Sequence, residues 1–217
     1  MFELTMNMLT GLPKNGETDP IEYYRKPLVG KLYMARINLG LSMLPARRFK
    51  RAVEVGYGAG AVQLALAPGV EELHGIDLDA DPTLLREFFE QRRVNAALRQ
   101  GSVYEMPYDA GSFDLVASFS VFEHLKEYRQ ALSEVHRVLN KGGLFLLGMP
   151  SVNRLMEFGF QAIGFRGIED IHITTPAQVA ACFEATGFRC LQRKPLDFPL
   201  PQPLGLRLYH NWLLEKS

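Results

Sequence analysis

The residues best placed to do chemistry lie between Val53 and Asp79. Val53-Glu54-Val55-Gly56-Tyr57-Gly58-Ala59-Gly60 follows a short apolar strand and opens a helix. Glycines let the backbone turn tightly and approach a ligand closely. The helix start offers unpaired N–H groups. Glu54 stands just before the glycines, where a dinucleotide-binding strand is ordinarily apolar. A carboxylate there can accept hydrogen bonds from an ammonium group. Further on, Gly75-Ile76-Asp77-Leu78-Asp79 ends the next strand. An acid at that point can hold both hydroxyls of a ribose. Gly56, Gly58 and Ala61 also satisfy a loose G-x-G-x-x-A pattern, so the loop alone leaves an NAD-dependent oxidoreductase open.

The order of the later motifs narrows the choice. Gly101-Ser102-Val103-Tyr104-Glu105-Met106-Pro107-Tyr108 leads through Gly111-Ser112-Phe113-Asp114 into a strong apolar strand. Val121-Phe122-Glu123-His124-Leu125, a helix, and Arg137-Val138-Leu139-Asn140-Lys141-Gly142-Gly143 follow. This succession resembles the class I S-adenosylmethionine-dependent methyltransferases, and among them the small-molecule enzymes of ubiquinone and menaquinone biosynthesis. The resemblance covers Val53 to Pro150 well. It extends loosely to Ile171–Pro176 and Ala185–Phe188.

The resemblance implies S-adenosylmethionine as cofactor. Glu54, Gly56, Gly58 and Gly60 would surround its methionine part. Asp77 would hold the ribose, with Leu78 against the adenine and Val103 and Tyr104 on the other adenine face. Ser102 stands where the family often has an acid touching the adenine amino group. Backbone near Phe119 would face the methionine amino group, and Arg36 or Arg25 would bind its carboxylate. Some quinone-pathway relatives carry an acid three residues before the Glu-His pair, proposed to help bind a metal. Here that position is Ser120, and no metal is expected. Glu123, His124 and His172 are the candidate catalytic groups. Methyl transfer asks mainly that the nucleophile be held in line and water excluded, and a phenol or enol acceptor gains from a nearby base such as histidine.

These residues need a scaffold. Strands are expected at Ala52–Val55, Leu73–Ile76, Ala96–Arg99, Phe113–Phe119, Leu144–Met149 and Phe188–Gln192, alternating with helices at Ala59–Ala67, Pro82–Arg93, Tyr128–Leu139 and from Thr175. Asp81-Pro82 and Thr175-Pro176-Ala177-Gln178 carry helix-start chemistry. Such alternation predicts an α/β, doubly wound, mostly parallel seven-stranded sheet with helices on both faces. Residues 21–44 read as one amphipathic helix capping the cofactor site, preceded by an irregular arm over residues 1–20. Residues 195–203 read as a proline-rich tail, and Leu204–Leu214 as a short amphipathic helix. One domain is expected: arm and cap over 1–49, cofactor core over 50–150, and lid, last strands and final helix over 151–217. The lid, with Met156, Phe158, Phe160, Ile163 and Phe165, predicts an apolar pocket under a mobile cover. A small acceptor, lipid-like or quinone-like, is therefore expected, methylated on oxygen or carbon.

Composition bounds the partners. The 217 residues carry zero formal net charge, which argues against a general nucleic-acid binder. Charge is segregated, with eight Lys and Arg and no acid from Arg25 to Val53, then mainly acids from Glu54 to Glu90. Two faces that partly pair explain this, and a basic approach for an anionic substrate or peripheral membrane contact is the sharper reading. Residues 1–18 lack the pattern of a secretory leader. Cys182 and Cys190, without metal-ligand spacing, read as buried thiols of a cytoplasmic protein. The remaining rival is a non-catalytic cofactor-binding chain that works through a partner. Oligomeric state leaves no sequence signature.

Overall fold

The computed structural model describes residues 2–16, 19–151, 172–198 and 206–217. The expected lid residues 152–171 lie outside the described residues, and so do the expectations about their mobility and apolar lining.

Seven strands form one sheet: β1 (Phe49–Val55), β2 (Val70–Asp77), β3 (Ala96–Gln100), β4 (Phe113–Phe119), β5 (Leu139–Pro150), β6 (Phe188–Phe198) and β7 (Leu206–Lys216). Their order is β3-β2-β1-β4-β5-β7-β6. The first five strands pair in parallel, while β7 runs antiparallel between β5 and β6. Alternation along the strands sends Ala52, Leu115 and Ala117 to one face and Val53, Val55 and Val116 to the other, feeding two separate cores. Strands buried on both faces are why β4 and β5 read as continuous apolar runs.

The first face carries α1 (Met6–Leu9), α2 (Ile21–Tyr24), α3 (Pro27–Leu41), α4 (Ala61–Leu66) and α5 (Pro82–Gln91). The second carries α6 (Tyr128–Val138) and α7 (Pro176–Ala180). Asp81 caps α5, and Thr175 with Gln178 forms a complete capping box on α7. The strand order reverses direction between β1 and β4, so a crevice opens at their carboxyl ends.

Five expectations need correction. The cap is two helices rather than one, because Lys26 is extended before Pro27, the conformation that a following proline favours. The arm is irregular except for α1, and it is packed: Leu4, Leu9 and Leu12 are buried, and Asn38 of α3 bonds both backbone groups of Leu4. The expected C-terminal helix is β7. A short apolar run satisfies both periodicities, and pairing on both sides decides for the strand. Leu208, Trp212 and Leu214 are buried on one face, with Tyr209 and Leu213 on the other. Residues 195–198 of the expected proline-rich tail likewise continue β6, which tolerates Pro195 because it is the sheet edge, and residues 199–203 lie outside the described residues. Cys190 is exposed on that edge strand, and only Cys182 is buried.

Trp212 is 3% exposed and meets Phe183 edge-on at 5.8 Å, so it packs and does not present a wedge. Among the described residues no helix is long and apolar enough to cross a membrane. Trp212→Ala is expected to cost about 3–5 kcal/mol, lowering the melting temperature by roughly 6–20 °C. An unchanged melting temperature by calorimetry would contradict the packed position.

Candidate cofactor and acceptor site

The glycine loop sits at the carboxyl end of β1. Gly56 has φ +79°, and a Cβ there would lie 2.2 Å from Val121 Cγ2, so only glycine lets the loop after β4 close on it. Gly60 is left-handed and precedes α4. Glu54 is 2% exposed and its Oε2 has no partner among the described residues. Burial pushes its carboxyl well above the carboxylate range, with Gln63 acting against that. A buried acid with an unused oxygen beside a glycine loop fits an incoming ammonium, which would offset the burial penalty.

Asp77 ends β2. Its Oδ2 accepts from Gly58 N–H at 2.9 Å, and its Oδ1 accepts from the N–H groups of Asp79 and Ala80 at 2.9 and 3.0 Å. From sequence this is a loop acid that supports little besides a ligand. The three amides show that it also ties the glycine loop to the turn after β2. A carboxylate has about four lone-pair sites, so capacity remains for a ribose hydroxyl, and ribose binding on both hydroxyls would require some exchange with these amides. Leu78 is 65% exposed beside it. Gly101 N–H donates to the Asp77 carbonyl at 2.8 Å and Gln100 Nε2 to the Leu78 carbonyl at 3.0 Å. These bonds bring the β3 turn, with Ser102, buried Val103 and half-buried Tyr104, against the same corner. The Ser102 hydroxyl accepts from Tyr104 N–H at 3.2 Å. The residues assigned to ribose and adenine thus share one corner of the crevice.

The carboxyl end of β4 holds a second cluster. Phe119 is buried beneath α3, where a Cβ on Gly40 would lie 2.8 Å from its ring. Ser120 has φ +58°, a strained value for a residue with a side chain. That conformation places its hydroxyl 2.9 Å from both Arg36 Nη1 and the Tyr209 hydroxyl. The Arg36 guanidinium lies 4.1 Å over the Tyr33 ring and 5.3 Å from that of Tyr209, and its buried Nε has no hydrogen-bond partner among the described residues. Of the two candidate arginines, Arg36 is the one at this end of the sheet. Arg25 is exposed and donates to the Leu12 carbonyl instead.

Glu123, in the turn Phe122–His124, is 1% exposed with Oε2 unpartnered. Burial pushes its carboxyl up to about 8, against its own backbone N–H, Arg36 and Ser120, which act the other way. Its Oε1 is 3.9 Å from His124 Nε2, and the His124 and His172 rings lie 5.2 Å apart. Burial, then His124, holds His172 down to about 4, so it is a neutral imidazole near pH 7. The three candidate catalytic groups are together, with donor atoms within 4.8 Å of one another. Several residues around the crevice escaped the sequence. Asn15, Asp19, Tyr24 and Tyr209 come from the arm, α2 and β7, and only the Asn15-Gly16 turn carries a local signal.

A doubly wound sheet with a glycine loop, a buried acid before it and an acid ending the next strand defines a nucleoside-cofactor crevice of the methyltransferase kind. Residues 53–147 match the family described as "Methyltransferase domain", so this segment is similar to S-adenosylmethionine-dependent methyltransferases. It is 32% identical over 121 residues to the uncharacterized methyltransferase YcgJ of Bacillus subtilis, covering 54% of this chain and 48% of that one. A demethylmenaquinone methyltransferase of Deinococcus radiodurans is 25% identical over 163 residues, 72% of this chain and 64% of that protein. The chain thus spans less than two thirds of the length of these relatives. The crystal structure of Bacillus YcgJ superposes with TM-score 0.64 at 20% identity, covering 83% of this chain and 97% of that one. The [4+2]-cyclase SpnF superposes with TM-score 0.70 at 16% identity, covering 97% and 90%. These superpositions establish the fold; a cyclase among them shows why the chemistry must be argued from the site.

The Glu123 shift has a stability consequence. Its folded value, about 8, lies above the ordinary 4.5, so folding favours the protonated form. The resulting cost is absent below pH 4.5 and grows as pH rises through the window up to about 8. Glu123→Gln escapes it. The variant should match the parent at pH 4.5 and gain about 2–4 kcal/mol on it by pH 8.5. Parallel stability–pH curves from denaturant unfolding would refute the buried, protonated acid.

Proposed function

We propose that the chain transfers the methyl group of S-adenosylmethionine to a small apolar or lipid-like acceptor, on oxygen or carbon. The observation that carries the cofactor half is the unpartnered buried oxygen of Glu54 beside the glycine loop, with Asp77 ending the next strand. Glu54 and backbone near Phe119 would take the ammonium, Arg36 the carboxylate, Asp77 the ribose, and Leu78, Val103 and Tyr104 the adenine. When bound, the cofactor supplies an electrophilic methyl carbon.

The acceptor half rests on the second cluster. Phe119, Tyr33 and Tyr209 make an aromatic wall at the carboxyl end of β4 and the amino end of the antiparallel β7. His172, kept neutral, can accept the proton of a phenol or enol as it becomes the nucleophile. Glu123 and His124 lie beside it. The names of relatives that act on a demethylated menaquinone and on trans-aconitate suit carbon or oxygen acceptors alike.

No metal is assigned to Glu123, His124 and His172. Ser120 stands where a further acid would be needed, and Arg36, bonded to Ser120, already supplies positive charge to Glu123. Cofactor binding and turnover should survive EDTA; loss restored by magnesium or zinc would reverse that assignment.

A ligand bound only by the folded chain stabilises it by about 2.7 kcal/mol at a hundredfold excess over Kd. Saturating S-adenosylmethionine or S-adenosylhomocysteine should therefore raise the melting temperature by roughly 5–10 °C, and NAD by almost nothing. Asp77→Ala should remove much of that shift. Because it also frees three backbone amides, it should lower the unliganded melting temperature by about 3–8 °C. A shift with NAD and none with the sulfonium cofactor would establish the oxidoreductase instead.

A further inference from the structure

The N-terminal arm reaches the cofactor loop through two polar residues. Asn15 is 2% exposed. Its Nδ2 donates to the carbonyls of Gly58 at 3.1 Å and Asp81 at 3.0 Å, and its Oδ1 accepts from Asp81 N–H at 2.8 Å. One side chain therefore pins the arm to the glycine loop and to the turn after β2, the two segments that Asp77 also joins. Asp19 then fixes the arm's own turn, accepting from Asn15 N–H at 2.7 Å and Ile21 N–H at 3.0 Å.

This places the Asp19 carboxylate over the glycine loop. Its Cγ and Oδ1 lie 3.9 Å from where a Cβ on Gly58 would stand. It interacts electrostatically with Asp77. Buried Tyr24 lies within electrostatic reach of Arg36, Glu54 and Asp19. Glu54 in turn interacts with Asp77. Three acids from three segments thus converge on the loop, and one of them, Glu54, is buried with an oxygen unused. Lys14, which faces Asp19 from the arm, is exposed to solvent. Burial raises the Asp19 carboxyl above its ordinary range, and the neighbouring Asp77 adds to it. Such a cluster favours a ligand that brings positive charge.

The two forms of the proposed cofactor differ in that respect. The methyl donor is a sulfonium cation. Once the methyl has gone to the acceptor, the sulfur keeps the bonding pair and is a neutral thioether. The nucleoside and amino-acid parts are unchanged. We propose that Asp19, held over Gly58 by the Asn15 pin, is a charge-selecting residue that makes the site favour the sulfonium cofactor over its neutral thioether product. The inference rests on the methyltransferase reading above and adds to it a device that favours product exchange.

Calorimetric titration with S-adenosylmethionine and with S-adenosylhomocysteine tests it directly. The quantity read is the ratio of the two dissociation constants in the parent, in Asp19→Asn and in Asp19→Glu. Removing one opposite charge from beside the glycine loop, at an effective dielectric near 20, should move the ratio about tenfold toward the product. Asp19→Asn should show that change, and Asp19→Glu should retain most of the parent's ratio. Equal weakening of both ligands in Asp19→Asn would make Asp19 only a wall of the arm and overturn the inference, as would an unchanged ratio. If Asp19→Asn does not fold, Asn15→Ala serves. It frees the arm without touching the charge of Asp19, and the ratio should fall toward that of an open site; a ratio equal to the parent's would overturn the inference. Failure of the parent to bind either ligand would instead remove the methyltransferase reading itself.

Discussion

The carboxylate of Asp77 is the interaction on which the crevice depends. It is one side chain at a strand end, yet it holds Gly58 on one loop and Asp79 and Ala80 on the next. The carbonyl of the same residue holds Gly101, which brings in the β3 turn. Three loops from three parallel strands are thereby fixed relative to one another before any ligand arrives. Preorganisation of this kind spares the ligand the entropy of ordering those loops. The cost is that Asp77 serves structure and binding together, so no substitution there separates the two.

The cluster beyond β4 follows a different logic. Arg36 and Glu123 bring a cation and a protonated acid into a buried space, where desolvation is expensive unless partners are supplied. Ser120 supplies one to each, at the expense of a left-handed backbone. Tyrosine faces and hydroxyls supply the rest for Arg36. What remains unused, the Nε of Arg36 and the Oε2 of Glu123, faces no protein partner. Strain and unspent polar capacity at one place are what an active site retains and a purely structural core discards.

Much of this was legible in the sequence because it is local. Glycines before a helix, an acid at a strand end and apolar runs of strand length each declare themselves within a few residues, and the five parallel strands and the Glu54–Asp77 pair emerge from them. What was not legible depends on distant pairing. Leu206–Lys216 carries a pattern that suits a helix or a doubly buried strand, and only the neighbouring strands β5 and β6 decide it. The arm's role rests on Asn15 meeting Gly58 and Asp81, contacts spanning 43 and 66 residues. Side-chain identity gave no sign of them. The triple duty of Asp77 was likewise hidden, because backbone amides look the same in any sequence.

The most direct test of the whole account is a crystal structure with S-adenosylhomocysteine bound. The ribose hydroxyls are expected at hydrogen-bond distance from Asp77, the adenine against Leu78 and Val103, and the ammonium at Glu54 or the Phe119 carbonyl. A ligand whose sugar lies away from Asp77, or whose amino-acid end points away from Glu54 and Arg36, would contradict it.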